Sequence, residues 1–340
     1  MTLAHWLWAV PVFGLMIFVH ELGHFAAAKF FGIRVHEFAL GFGPSVLRFA
    51  KGGTRYSLRA VPLGGFVRMA GMDPDEPEDP AGFSNKPVYA RALTILAGPL
   101  MNFLLASLLL SAFAYARWAE APVIGQTLAE CGGQPCPVAV AGLQPGDLVL
   151  EIDGEPVGAW SEVRLRVAGS GGAPLEVRLA RDGRQFSAVL TPVQVEGEYV
   201  LGIRQATPSV WRALAWGPAM TCRYAGTWIG WLVDTVTGRQ PVELYGPVGM
   251  TRAIATEASA GVTNLLALTA ALSINLGLFN LLPIPALDGA HLLFMAVEAV
   301  RGRRLDPEFV GMAHFFGLLL LVGLTLVVTY GDLRAAILGS

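Results

Sequence analysis

Four long apolar segments constrain this chain more than any other feature of its sequence. They run from Trp6 to Ala28, Leu93 to Ala116, Thr263 to Leu282 and Phe309 to Tyr330. A helix that spans a bilayer needs about 20 mostly apolar residues, and each segment has roughly that length. Charged residues make up only 15% of the chain, whereas soluble domains carry about 25%. The sequence therefore predicts a polytopic α-helical membrane protein with about four transmembrane helices.

The first segment must be distinguished from a cleavable signal peptide, because three alanines at 26–28 resemble a cleavage site. Signal peptides normally carry Lys or Arg before the apolar core, and this chain has neither there. Its basic residues follow the segment instead, from Lys29 to Arg59. Because basic loops favour the cytoplasm, this asymmetry predicts a retained span with an extracytoplasmic N-terminus. We expect the protein in the inner or plasma membrane.

A further segment, from Val210 to Val236, is apolar but interrupted by Arg212, Arg223 and a Gly-Pro pair. Its five Trp and Tyr side chains suit the headgroup zone, so we interpret residues 196–262 as an interfacial helical region. A fifth span is the alternative. With four spans, both termini and residues 117–262 lie outside, and the arginines at 301–304 lie in the cytoplasm. A fifth span would reverse the side of those arginines.

His20-Glu21-Leu22-Gly23-His24 ends the first apolar core and matches the pattern H-E-x-x-H. Residues four apart share one face of a helix, so both imidazoles can bind one zinc ion. Zinc in a catalytic site takes three protein ligands and activates a water molecule, whose proton Glu21 can accept. The alternative is two histidines satisfied by their neighbours. Because ionisable groups in a transmembrane segment are costly and usually functional, we predict a single Zn²⁺ site.

The third ligand is predicted in the segment 280–289, which reads NLLPIPALDG. Pro283 and Pro285 break a helix, and broken helices at membrane depth occur only where they line a cavity or are buried in protein. In the four-span topology Asp288 reaches the same, cytoplasmic side as the two histidines. Asp288 is therefore our candidate ligand, although it can also cap the next helix. His291 is the rival ligand.

Residues 120–195 predict a small extracytoplasmic α+β domain inserted between membrane segments. Short β-rich runs occupy 148–152, 175–179 and 186–190, and Asp182-Gly183 predicts a hairpin turn between the last two. Disulfides persist outside the cytoplasm, so we predict a bond between Cys131 and Cys136, with Cys222 free. Two unpaired thiols or a metal pair are the alternatives.

The cytoplasmic loop after the first span predicts a β-hairpin. Its two short β-rich runs, Tyr56 to Val61 and Phe66 to Met69, flank a Pro-Leu-Gly-Gly turn. The predicted organisation is thus a membrane core split into 1–119 and 263–340, with the inserted domain and the interfacial region between them.

These motifs resemble those of the bacterial site-2 proteases, a family of intramembrane zinc metalloproteases that carry a PDZ domain. The resemblance rests on HELGH at 20–24, GFGP at 41–44, AGPLMN at 97–102, GPVG at 246–249 and NLLPIPALDG at 280–289. It implies one zinc ion held by His20, His24 and Asp288, with Glu21 as the catalytic acid/base and Asn280 helping to hold substrate. It also implies that the hairpin dips into membrane lipid and pairs with an unwound substrate strand.

The resemblance extends to the inserted domain. Residues 142–154, GLQPGDLVLEIDG, are similar to a PDZ domain of the protease-associated type, which implies an extended peptide as its ligand. Substrates in the family are transmembrane proteins such as anti-sigma factors, and signal-peptide remnants. The net charge of −2 gives no indication of a nucleic-acid partner.

Two other functions compete with proteolysis. A catalytically inactive membrane adaptor is disfavoured because pure zinc binding does not need Glu21. A metal transporter is disfavoured because such folds show repeated halves with paired broken helices, and only one proline-broken span is evident here.

Overall fold

The computed structural model describes residues 3–72, 79–240 and 246–338. The helices are α1 (Leu3–Leu7), α2 (Ala9–Phe30), α3 (Val88–Glu120), α4 (Pro137–Val140), α5 (Trp160–Gly169), α6 (Val210–Val236), α7 (Pro247–Ala260), α8 (Val262–Leu281), α9 (Asp288–Arg301) and α10 (Pro307–Leu338). The strands are β1 (Val35–Lys51), β2 (Thr54–Met69), β3 (Ile124–Thr127), β4 (Glu130–Cys131), β5 (Gln134–Pro135), β6 (Leu148–Ile152), β7 (Glu155–Pro156), β8 (Leu175–Arg181), β9 (Arg184–Leu190), β10 (Val193–Val195), β11 (Glu198–Val200) and β12 (Ile203–Gln205).

The chain forms two compact units. One combines Met1–Ser111 with Leu214–Ser340, and the other is Ala112–Ala213. Among the described residues, four helical segments are long and apolar enough to cross a membrane. They are His5–Phe30, Val88–Glu120, Val262–Leu281 and Glu308–Arg334. The four predicted spans are confirmed as apolar helices, and the protein is a multi-pass membrane protein. Helix α6 is not in this set, and its interfacial position stays a prediction.

The helices of the first unit approach closely where small residues face each other. A β-carbon on Gly23 of α2 would collide with the carbonyl oxygen of Ala97 on α3. Likewise, a β-carbon on Gly217 of α6 would collide with the carbonyl oxygen of Ser107, whose hydroxyl lies 3.0 Å from Thr221 Oγ1. Small and hydroxyl residues of this kind allow helix backbones to meet where hydrophobic burial gives no driving force in lipid.

Strands β1 and β2 form one long antiparallel hairpin that folds back on itself. The first half of β1 pairs with both ends of β2, so that Phe38 lies opposite Val67 on one side and Tyr56 on the other. The predicted hairpin is wrong in its pairing. The runs 56–61 and 66–69 do not pair across a Pro-Leu-Gly-Gly turn but both belong to β2 and pair with β1, and the hairpin turn lies at Gly52 and Gly53. Sequence patterning did not predict β1 as a strand, because glycines and a proline at 41–44 interrupt its alternation where the strand bends.

The second unit contains a four-stranded antiparallel sheet with the order β7-β6-β8-β9. The Asp182-Gly183 turn joins β8 to β9 with φ values of 49° and 79°, as an Asp-Gly hairpin turn requires. This unit is longer than the 120–195 range predicted for the inserted domain. It is longer because strand β12 pairs with β3. The sequence did not predict β12, since a three-residue strand gives too weak an alternating pattern.

A disulfide joins Cys131 to Cys136, as predicted, and Cys222 is a free, exposed cysteine. The bond closes the small β4–β5 hairpin, whose cysteine Cα atoms lie 5.0 Å apart. Gly202 packs directly on both sulfurs, since a β-carbon there would lie 2.5 Å from Cys136 Sγ and 2.9 Å from Cys131 Sγ. The disulfide is therefore part of the core of this unit, close to β12.

A buried ion pair fixes the start of β6 to the end of β8. Asp147 is fully buried and accepts hydrogen bonds from Arg181 Nε at 2.6 Å and from the backbone N–H of Gln144 at 2.8 Å. The Arg181 guanidinium holds the pKa of the Asp147 carboxyl below its ordinary value of 3.8. A carboxyl with a lowered pKa stabilises the fold above its ordinary pKa, and that contribution is lost as the pH falls below it.

Replacing Arg181 by methionine is accordingly expected to loosen this unit at pH 7, because it leaves the buried Asp147 carboxylate without its partner. Hydrogen exchange of β6 and β8 in the full-length protein should accelerate clearly at pH 7. The difference from the unmodified protein should shrink below about pH 4, where the carboxyl becomes protonated. Arg178→Met is the matched control on the same strand, because Arg178 pairs with Glu151 at the surface. Equal effects of the two variants at pH 7 would contradict the assignment.

Candidate metal centre

Helices α2 and α9 bring two histidines and one aspartate together. Nε2 of His20 and Nε2 of His24 lie 3.1 Å apart, and Oδ2 of Asp288 lies 3.1 Å from the first and 3.3 Å from the second. The imidazoles share one face of α2 because they are four residues apart. Asp288 is the first residue of α9 and follows the proline-containing turn after α8. Each of the three side chains thus offers one ligand atom to a common point.

The donor set fits a zinc ion better than it fits a network of hydrogen bonds. Nδ1 of His24 lies 2.9 Å from the carbonyl oxygen of Thr94, so Nδ1–H donates and Nε2 keeps its lone pair. Oδ2 of Asp288 is buried and accepts no hydrogen bond. Lone pairs and a carboxylate oxygen that converge in a buried place repel each other unless a cation lies between them. Two imidazoles and one carboxylate are a common ligand set of catalytic zinc, with one coordination position left open.

Asn102 on α3 forms the second layer around His20. Its side-chain amide lies 3.1 Å from Nδ1 of His20, and its Oδ1 is buried without a partner. Exchanging the amide oxygen and nitrogen lets Oδ1 accept a hydrogen bond from Nδ1–H of His20. The Nε2 lone pair of His20 is then free for the metal, as in many zinc sites with an oriented histidine. Asn102 lies in the AGPLMN motif at 97–102, but the sequence alone does not indicate its role.

The other predicted site residues lie outside this cluster of three ligand atoms. Glu21 faces the second half of β2, where a β-carbon on Gly65 would lie 3.2 Å from its Cγ. Asn280 donates a hydrogen bond from its amide to the Leu276 carbonyl of its own helix, so no contact with the cluster supports its predicted role. His291 stacks on His314, with ring centroids 4.3 Å apart. The structure brings Asp288, and not His291, to the two α2 histidines.

Gly98 on α3 leaves the space that the His24 imidazole occupies. A β-carbon at this position would overlap the ring. Gly98→Ala is therefore expected to displace His24 and to weaken zinc binding by roughly 10–100-fold, the range seen when the support of a metal ligand is lost. Competition with a metal chelator measures the dissociation constant. Gly14→Ala on α2 is the control, because a β-carbon there meets nothing within 4 Å. Unchanged zinc affinity in Gly98→Ala would contradict this geometry.

The second unit carries a groove of its own, with a volume of about 1290 Å³. Helix α5 forms one wall through residues such as Trp160 and Val167, and residues 195–205 form the other. A groove between a helix and a strand is the arrangement in which PDZ domains bind an extended peptide. The geometry is therefore compatible with the predicted peptide ligand.

Comparison with known proteins supplies independent information. The family model of Peptidase family M50 matches residues 8–324. The chain is 34% identical to the zinc metalloprotease RasP of Geobacillus kaustophilus, over 96% of each protein. It is 31% identical to the regulator of sigma-W protease RasP of Bacillus subtilis, over 96% of this chain and 97% of that protein.

Proposed function

This chain belongs to peptidase family M50 and is a zinc metalloprotease of the site-2 type, and from this we propose that it cleaves transmembrane protein substrates within or beside the bilayer. We propose that a single zinc ion is held by His20, His24 and Asp288. The observation that carries the proposal is the convergence of two Nε2 atoms and one unpartnered carboxylate oxygen between apolar helices. A membrane transporter or adaptor has no need of Glu21 beside such a site.

When bound, zinc supplies Lewis acidity that lowers the pKa of water and polarises a peptide carbonyl. Glu21 lies one residue from His20, about 100° around the helix, so its carboxylate need not compete as a ligand. It accepts the proton of the attacking water and passes it to the departing amine nitrogen. His24 is held by the Thr94 carbonyl and His20 by Asn102, and these contacts orient both rings before substrate arrives.

The end of β2 is the surface on which we propose that substrate binds. Residues 65–69 pair with β1 on one side, and within the described residues no strand pairs with their other side. This free edge begins at Gly65, next to Glu21. A helical substrate hides its peptide bonds, so a cleavable segment must unwind, and a free strand edge offers hydrogen bonds to the unwound segment. The exposed Leu47 and Phe49 of β1 extend the hairpin toward membrane lipid.

We propose an orientation in which the metal centre lies toward the cytoplasmic side and the second unit lies outside. The groove of that unit then binds extended segments of substrates as a PDZ-like domain and takes no part in the chemistry. The Bacillus subtilis relative is named a regulator of sigma-W protease, which fits anti-sigma factors as one proposed substrate class. Signal-peptide remnants are a second proposed class.

Reconstitution tests the proposal directly. The purified full-length protein in lipid vesicles should cleave a model transmembrane substrate, lose this activity on zinc chelation and regain it when zinc is added back. An adaptor would bind the substrate without cutting it, and a transporter would move zinc into vesicles without cleavage. Either result with zinc-loaded, folded protein would refute the protease assignment for this chain.

A further inference from the structure

The turn that presents Asp288 holds one residue in an unusual backbone conformation. Ala286 has a φ of 78°, which lies in the left-handed region that glycine favours and other residues rarely adopt. The two prolines that precede it, at 283 and 285, have no N–H to stabilise the turn. A strained residue of this kind persists only where its surroundings hold it, and such residues concentrate at functional sites.

The surroundings that hold Ala286 come from helix α10. The backbone N–H of Ala286 donates a hydrogen bond of 2.9 Å to Nδ1 of His314. One turn further along α10, Gly317 lies so close to the turn that a β-carbon would collide with the carbonyl oxygen of Pro285. The turn is therefore fixed by one hydrogen bond and by one close backbone contact from the same helix.

The imidazole of His314 is itself held in place from α9. Its ring stacks on His291 at 4.3 Å and meets the edge of Phe294 at 5.6 Å. Because Nδ1 accepts a hydrogen bond, the proton of the neutral ring lies on Nε2. His314 is thus a neutral acceptor with a fixed orientation, pointed at the strained residue that precedes Asp288 by two positions.

Elsewhere helix α10 is held near its C-terminal end, where Asp332 accepts a hydrogen bond of 2.8 Å from the Gly249 N–H of α7. Only 6% of the most apolar stretch of α10 is buried, against 44% for the stretch in α3. The apolar stretch of α10 is thus largely exposed, and it contacts the turn at His314 and Gly317. The His314 side chain and the Gly317 backbone therefore link the last span directly to the turn that carries Asp288.

We propose that His314 is a positioning residue for the metal ligand Asp288, acting through its hydrogen bond to the Ala286 N–H. This rests on the proposed role of Asp288 as a ligand, but the hydrogen bond itself can be tested without metal. The bond keeps Ala286 at positive φ, and that conformation directs the first residue of α9 toward His20 and His24. The same contact makes metal affinity depend on the packing of α10.

Two substitutions at position 314 separate the hydrogen bond from simple packing. His314→Leu removes the acceptor but retains an apolar side chain, and His314→Asn supplies a carbonyl oxygen near the place of Nδ1. In zinc-free protein, His314→Leu is expected to accelerate hydrogen exchange of residues 284–288 at least 10-fold. It should weaken zinc binding roughly 10–100-fold. In zinc-saturated enzyme it should lower kcat with little change in KM. His314→Asn should restore most of each loss.

A substitution at a second position tests the proposal in a way that does not depend on whether a variant at position 314 folds poorly. Ala286→Gly removes the backbone strain, so adding it to His314→Leu should recover at least part of the zinc affinity. Phe316→Leu is the control on the exposed side of α10 and should change none of the readouts.

Normal exchange and normal zinc affinity in His314→Leu would overturn the proposal. So would equal losses in His314→Leu and His314→Asn together with no recovery by Ala286→Gly. Faster exchange in zinc-free His314→Leu, with recovery by either second change, supports the positioning role even if the protein proves to cleave no substrate. Failure of the proposed function would instead appear as zinc binding without cleavage in the unmodified chain.

Discussion

Replacing Glu21 by glutamine is expected to lower the rate of substrate cleavage by roughly 10²–10⁴-fold, the usual contribution of a general acid/base. Glutamine has nearly the shape of glutamate but cannot accept a proton. The three candidate zinc ligands are untouched by the change, so zinc content should remain that of the unmodified protein. The variant should also retain substrate, which makes it suited to trapping bound membrane proteins. Cleavage assays and metal analysis on the same purified sample measure both quantities.

Gly65→Ala offers a comparison for the same place in the structure, because it crowds Glu21 without removing its carboxylate. Its activity should fall less than that of Glu21→Gln. Near-normal cleavage by the Glu21→Gln variant with purified components would show that another group moves the proton. The zinc assignment would survive that result, but the catalytic assignment of Glu21 would not.

Replacing Asp288 by alanine is expected to remove both zinc and activity. The change deletes one of three converging ligand atoms and leaves the two Nε2 atoms of His20 and His24 facing each other at 3.1 Å. Loss of groups that only orient a ligand already weakens metal binding by 10–100-fold, so loss of the ligand itself should exceed roughly 100-fold. His20→Ala and His24→Ala should behave alike. Chelator competition and metal analysis of purified protein give the affinity and the content.

His291→Ala is the matched control, because His291 lies one helical turn after Asp288 but outside the cluster. It should retain zinc far better than Asp288→Ala, with a milder loss through its stacking on His314. If His291→Ala lost zinc while Asp288→Ala kept it, the third ligand would have to be reassigned. The family membership would be unaffected.

Local sequence patterns were the basis for predicting the spans and the candidate zinc ligands. The four spans depend on apolar length, and the pair His20 and His24 depends on helical spacing, so both were accessible before any tertiary structure was known. Asp288 was accessible as a candidate through its proline-broken segment, while His291 remained its rival. The choice between the two required the backbone path of the turn, which no periodicity describes.

The supporting contacts could not be predicted in this way. Thr94 contributes a backbone carbonyl, and any residue type provides one. Asn102 lies 82 positions from His20 in the chain, so its proximity depends on how α3 packs against α2. The hydrogen bond from Ala286 to His314 accompanies a single unusual φ value, which the sequence Pro-Ala-Leu does not indicate.

The separation of the ligands along the chain has a consequence for biosynthesis. His20 and His24 leave the ribosome early, whereas Asp288 follows most of the polypeptide. At about 5–20 residues per second, roughly 15–50 s pass before the third ligand is made. During this interval the nascent chain lacks a complete ligand set. The order of the motifs therefore delays the appearance of a competent protease until the segment between the two histidines and the aspartate has been synthesised.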